Sequence, residues 1–270
     1  MTKSHIAGAD AESPVATPCS SSDNWDKHWE EFGAAAETGP TPKYRRRILF
    51  KLLNIDTPGE SARMLEIGSG TGEFAEEFLQ RYAKSRYLGL ELSRTGVEMS
   101  ARRVPEGSFL QRDLLQPAAT EAFSDYLATH AICTEVLEHL DEPGLLLANA
   151  RRYMAPGCRM VVTVPGGPMN AFYRHIGHRR HYSPDQLREL LEQAGFDVEQ
   201  TYGAGFPFFN LFRLLITWRG DKLVRNVSGP PSGAVRFAGW VFDILFRLNA
   251  MRWGWQTVAV VRYKPRTHLG

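Results

Sequence analysis

The chain has 270 residues, of which 43% are hydrophobic, 11% aromatic and 23% charged. That composition supports a sizeable core and excludes a disordered chain. Lys+Arg 32 against Asp+Glu 30 leave a net charge of +2, which argues against a nucleic-acid partner held by overall charge. Cys19, Cys133 and Cys158 lie too far apart for a zinc pattern or a paired disulfide framework, which suits a reducing, cytoplasmic setting.

Residues 1–22 are polar and lack the apolar stretch of a signal peptide, so they read as a disordered leader before one domain at 23–270. No run of about 18 apolar residues predicts a transmembrane helix. Trp25, Trp29 and Phe32 are spaced for one helical face. A loop with Gly39, Pro40 and Pro42 precedes a basic helix from Tyr44 to Leu53. Strands then alternate with helices. Met64–Ile67, Tyr87–Leu92, Phe109–Asp113 and Tyr126–Cys133 read as the first four strands. Asp141 is placed to cap a helix that reaches about Met154 and ends at Pro156-Gly157, and Met160–Val164 is a fifth strand. Ser183-Pro184-Asp185-Gln186 opens a helix with an apolar stripe of Leu187, Leu190, Leu191 and Ala194, stopped by Gly195. Phe196–Tyr202 is a sixth strand, and Thr257–Tyr263 is the last, after a long insertion. The alternation predicts a doubly wound, Rossmann-like α/β sheet, mostly parallel, with helices on both faces.

Leu65-Glu66-Ile67-Gly68-Ser69-Gly70-Thr71-Gly72 falls at a strand-to-helix turn, where glycines let the backbone approach a ligand. Glu91 closes the next strand, placed to accept hydrogen bonds from ribose hydroxyls. The third glycine of a dinucleotide fingerprint is replaced by Glu73, whose charge would oppose a pyrophosphate, and no Gly-Lys-Ser/Thr follows. A nucleoside ligand without phosphate fits best, and S-adenosylmethionine is such a compound.

Thr134-Glu135-Val136-Leu137-Glu138-His139 follows the fourth strand, at the sheet edge where ligands bind. In a helical turn, Glu135, Glu138 and His139 share a face. They suit either of two chemistries: a carboxylate-supported His acting as general base, or carboxylates and imidazole holding a divalent cation.

LEIGSGTGEF, YLGLELS, FLQRDLL and TEVLEHLDEP in that order, with a later strand ending in VPGG, resemble the class I S-adenosylmethionine-dependent methyltransferases over about Leu53 to Gly203. The resemblance implies a seven-stranded sheet whose last strand is antiparallel. It implies that Gly68 and Gly70 line the methionine part, that Glu91 holds the ribose, that Leu92 packs on the adenine and that Asp113 accepts from the adenine amino group. Glu66, Ser69, Leu114 and Thr134 complete the cofactor set. Residues 23–57 would form a helical cover, with Arg45 or Arg46 a partner for the methionine carboxylate.

The Glu-Val-Leu-Glu-His string is similar to that of ubiquinone-biosynthetic O-methyltransferases. It is also similar to small-RNA 2′-O-methyltransferases, which add a further His to bind metal. Gly177-His178-Arg179-Arg180-His181-Tyr182 supplies that His, with His178 preferred over His175 and His181. His139, Glu138 and His178 are thus the expected catalytic residues, and Glu135, Glu138, His139 and His178 the candidate metal ligands.

Residues 206–253 form a helical insertion of strongly apolar character. Asn210, Arg213 and Thr217 make a narrow polar stripe in its first helix; Arg236, Asp243 and Arg247 make one in its second. Helices this apolar must be buried. An acceptor-pocket cap, a homodimer interface and peripheral membrane contact are the three ways to do so. The leading expectation is O-methylation of a small hydrophobic or aromatic acceptor. A metal-dependent RNA 2′-O-methyltransferase and a non-catalytic cofactor-binding protein are the alternatives.

Overall fold

The computed structural model describes residues 24–30, 39–55, 61–117, 125–225 and 233–265. The leader at 1–22, Cys19 within it, Phe32 and residues 226–232 of the insertion loop lie outside these. One sheet holds seven strands: β1 (Arg63–Ile67), β2 (Arg86–Glu91), β3 (Ser108–Gln111), β4 (Ala128–Thr134), β5 (Met154–Pro165), β6 (Phe196–Ala204) and β7 (Gln256–Tyr263). Their order is β3-β2-β1-β4-β5-β7-β6. The first five pair in parallel, and β7 runs antiparallel between β5 and β6. Chain order reverses between β1 and β4, which opens a crevice at the carboxyl ends of those strands.

The helices are α1 (residues 25–30), α2 (Pro40–Leu53), α3 (Glu73–Arg81), α4 (Arg94–Arg103), α5 (Pro143–Ala150), α6 (Ala171–His175), α7 (Pro184–Gln193), α8 (Phe208–Arg225) and α9 (Gly233–Leu245). Central strands read as continuous apolar runs because both faces are covered. Leu65, Ile67, Cys133, Met160 and Val162 face the core shared with α5 and α7. Met64, Ile132, Val161 and Val258, in the alternate pleat positions, face α2, α3 and the insertion. Burying each such Leu, Ile or Val contributes about 1.5–3 kcal/mol.

Three local expectations are corrected. Helix α2 starts at Pro40, not Tyr44, because Pro40 and Pro42 fall in the first turn, where the helix needs no N–H from them. Pro156-Gly157 does not end a helix. It lies inside β5, where the register with β4 jumps from Ala128↔Met154 to His130↔Arg159, and such a bulge tolerates a proline. Asp141 does not cap α5; Glu142 occupies the cap position and Asp141 pairs with Arg179.

The start of α7 is as the sequence predicts. Ser183 Oγ accepts from the Gln186 backbone N–H at 3.2 Å, and the Gln186 side chain accepts from the Ser183 N–H at 2.9 Å. Ser183→Ala removes one half of this reciprocal cap, at a cost of about 1 kcal/mol. Thermal unfolding of the variant should show a midpoint lowered by about 2–4 °C.

Candidate active site

The glycine turn after β1 is built on positive φ at Gly68 (75°), Gly70 (54°) and Gly72 (86°), a region that side chains rarely adopt. A Cβ at Gly68 would also overlap the Val136 side chain. The turn is tied to β2 through Glu91. Its carboxylate accepts the Gly70 N–H at 2.8 Å and the Ser93 N–H at 2.9 Å. Burial raises its pKa, against the opposing effect of those two N–H groups.

Leu92 is exposed at the end of β2, while Leu114 is buried and its carbonyl accepts from Asn149. Asp113 Oδ1 accepts from the Leu115 N–H at 2.8 Å and so shapes its own turn. Ser69 and Thr134 are brought to the crevice edge, each with a buried hydroxyl that has no partner among the described residues. Glu66 faces Tyr87, whose hydroxyl donates to it.

Helix α1 lies over this edge. A Cβ on Gly70 would stand 3.0 Å from Cη2 of Trp29. Asp26 accepts from Ser93 Oγ at 2.6 Å and from the Thr95 N–H at 2.9 Å, which holds α1 on the start of α4. The Trp25 ring meets His139 edge-on at 4.8 Å between centroids. Sequence reasoning noticed these tryptophans by their spacing but missed Asp26, which carries no periodic signal.

After β4 the chain departs from the expected helical turn. Glu135 takes a left-handed conformation, φ 55°, and only Leu137–His139 form a short 3-10 turn. Glu135 is therefore turned away from the other two. Its carboxylate accepts from Gln256 at 2.9 Å and Thr163 at 3.3 Å and pairs with Arg45 at 3.3 Å. Arg45 is thus held by Glu135, and Arg46 by Glu77 at 2.9 Å.

Glu138, His139 and His178 do come together, with one ligand atom from each lying within 4.8 Å of the others. Glu138 is fully buried, and neither carboxylate oxygen has a partner among the described residues. Burial, with Glu135 nearby, raises its pKa well above the usual carboxylate range. Burial lowers the His178 pKa to about 2, so that imidazole is neutral at any working pH.

The tautomers follow from the carbonyls. His139 Nδ1 lies 3.2 Å from the Gly177 carbonyl, which can only accept, so Nδ1 carries the proton and the lone pair is on Nε2. His181 Nδ1 likewise donates to the Gly167 carbonyl at 3.1 Å. Its Nε2 then accepts from His178 Nδ1 at 3.2 Å, which puts the His178 lone pair on Nε2. His181 therefore orients His178 rather than competing with it. His175 is exposed and takes no part in this relay.

Behind the histidines, Tyr173 packs its ring against His178 and His181, at 5.3 and 4.7 Å. Arg213 of α8 donates to Tyr173 Oη at 2.7 Å and to the carbonyls of Gly166 and Trp255 at 2.7 and 2.8 Å. Its place in an apolar insertion concealed this role.

A glycine turn after β1, an acid ending β2, a polar cluster after β4 and an antiparallel β7 together define the Rossmann-like fold of class I methyltransferases. The chain is an enzyme of this class. It belongs to the methyltransferase-domain family, whose model matches residues 41–201, more than half of the chain. A "Probable S-adenosylmethionine-dependent methyltransferase" of Mycolicibacterium smegmatis is 28% identical over 217 residues, 77% of each chain. O-methyltransferase cnsE of Penicillium expansum is 28% identical over 153 residues, and the match spans 53% of this chain and only 54% of that relative. In fold, the chain resembles phosphoethanolamine N-methyltransferase 2 of Haemonchus contortus, solved with S-adenosyl-L-methionine. That match has a TM-score of 0.57 and 14% identity, and covers 89% of this chain and 57% of that one.

Burial raises the Glu66 pKa from 4.5 to about 8. The folded chain therefore holds a proton there that the unfolded chain releases above pH 4.5. The stability this group provides is present below pH 4.5 and declines as pH rises toward 8. Urea unfolding at several pH values should show stability of the wild type falling across this window, with a shallower fall in Glu66→Gln.

Proposed function

We propose that this enzyme transfers the methyl group of S-adenosylmethionine to a hydroxyl of a small hydrophobic or aromatic acceptor, with His139 as the base. The observation that carries the reading is the set of imidazole lone pairs beside Glu138, on the β4 side of the crevice. In the reaction an acceptor oxygen lone pair attacks the methyl carbon. The carbon–sulfur bond breaks with its electrons passing to sulfur, and the acceptor proton moves to His139 Nε2. The leaving group is already activated, so the protein supplies mainly alignment and proton removal.

For the donor, Gly68, Ser69 and Gly70 line the methionine side, with Glu66 beneath the turn and Thr134 at its edge. Each Glu91 oxygen keeps a lone pair for a ribose hydroxyl while holding a backbone N–H. Leu92 offers an apolar surface to the adenine, and Asp113 with Leu114 closes that end. Glu91→Ala should abolish S-adenosylmethionine binding in calorimetry; unchanged affinity would remove the ribose assignment.

A second reading has its own observation. Glu138 is a buried carboxylate with both oxygens unpartnered among the described residues, and His139 and His178 have Nε2 lone pairs fixed by their Nδ1 hydrogen bonds. That set suits a divalent cation, with Gly177 and His181 as the supports that hold its ligands. Glu138, His139 and His178 would hold the ion, and Glu135, engaged elsewhere, would not. Such an ion would supply Lewis acidity toward the acceptor hydroxyl.

One experiment separates the two readings. S-adenosylhomocysteine formation is measured with a panel of phenols and hydroxylated lipids, before and after chelation, alongside the metal content of the purified chain. The base reading expects His139→Ala to lower turnover about 10²-fold or more, with cofactor affinity nearly intact, chelation without effect and no bound metal. Stoichiometric metal lost in Glu138→Gln would establish the second reading instead.

A further inference from the structure

Helix α8 is inside out by the usual rule for a surface helix. Its polar stripe faces inward: Arg213 is buried, Asn210 Oδ1 accepts from the Trp255 N–H at 2.9 Å, and Thr217 Oγ1 accepts from Asn170 at 3.0 Å. Its outer face carries Leu211, Leu214, Leu215 and Trp218, spaced i, i+3, i+4, i+7, all exposed, with Trp218 at 81%.

Helix α9 repeats the arrangement. Phe242 packs inward on Phe212 at 4.8 Å, while Phe237, Trp240 and Ile244 form an exposed outer stripe that Leu248 continues. Trp253, at the base of the hairpin, is 72% exposed. Neither helix lacks a core-facing side, so these stripes are a second apolar face left over after packing. Contiguous patches of this kind mark interaction surfaces.

Charge indicates what covers the patch. Residues 206–253 contain seven Arg and Lys against two Asp, and with the inward-facing Arg213 left out the surplus is still four positive charges in a chain whose net charge is +2. Among the described residues, Arg236, Arg247 and Arg252 are exposed, and each directly precedes an exposed apolar residue: Phe237, Leu248 and Trp253. A symmetric contact with a second copy would set this positive face against itself. Indoles and arginines around aliphatic side chains instead match a bilayer surface, with rings at the headgroup level and guanidiniums reaching lipid phosphates. No helix among the described residues is long and apolar enough to cross a membrane.

We propose that the outer face of the α8–α9 hairpin docks the enzyme on an anionic lipid surface, with both helices lying in the interface. The proposal does not depend on the acceptor or on the base.

The test is flotation of the full chain with vesicles of mixed phosphatidylglycerol and phosphatidylcholine, and with vesicles of phosphatidylcholine alone. The chain should float with the anionic vesicles, release at high salt, and shift its tryptophan emission to the blue on binding. Trp218→Ser combined with Trp240→Ser should weaken lipid binding about tenfold or more. Because both side chains are exposed, its melting curve should match the wild type. Arg236→Gln with Arg247→Gln should lessen the preference for anionic lipid. Absence of flotation with anionic vesicles would overturn the proposal, as would equal, salt-insensitive binding to phosphatidylcholine. A wild-type dimer in sedimentation that the tryptophan substitutions split into monomers would identify a self-interface and overturn it too.

Discussion

The carboxylate of Glu91 holds the crevice in shape. It sits at the end of β2 and accepts N–H groups from two different turns, the glycine loop after β1 and the start of α4. With one acid satisfying both, the two turns are fixed relative to each other before anything binds. Desolvation works against this ionised carboxylate, and the two backbone donors offset part of that cost. Trp29 and Asp26 then have a rigid surface on which to rest.

The neighbouring side of the crevice is organised by unmet need rather than by satisfaction. Glu138 is buried without a partner among the described residues, and burial alone would favour its neutral form. Burial keeps the His178 imidazole neutral, and the tautomers of the two rings are set by the Gly177 carbonyl on His139 and, through His181, by the Gly167 carbonyl on His178. A protein gains nothing in stability from such an arrangement. It is the kind of local conflict that functional sites retain.

Much of this was legible in the residues, for physical reasons that can be named. Strands β1, β4 and β5 show as apolar runs because helices cover both faces of the sheet. The glycine loop and Glu91 show because local backbone geometry fixes their spacing. The meeting of Glu138, His139 and His178 was expected from one short string and one distant loop, and the structure brings them together. The helical face that Glu135 would share with Glu138 and His139 does not form, because the left-handed conformation of Glu135 breaks the turn and leaves no mark in the sequence. The orienting role of His181 needs the Gly167 carbonyl, which arrives from another segment of chain. The polar stripe of α8 was visible, but its direction was not. A stripe of Asn210, Arg213 and Thr217 ordinarily faces water, and here the acceptors waiting at Tyr173, Gly166 and Trp255 reverse it.

That reversal gives Arg213 a mechanical consequence. One guanidinium joins the insertion to carbonyls at the end of β5 and just before β7, and to the tyrosine on which His178 and His181 rest. Pulling the hairpin off the body would carry Arg213 into water and leave the Gly166 and Trp255 carbonyls without their charged donor, at about 1.5–3 kcal/mol for each hydrogen bond. The insertion and the floor beneath the imidazoles therefore share one guanidinium, and displacing the hairpin would take a support from Tyr173 and, through its ring, from His178 and His181.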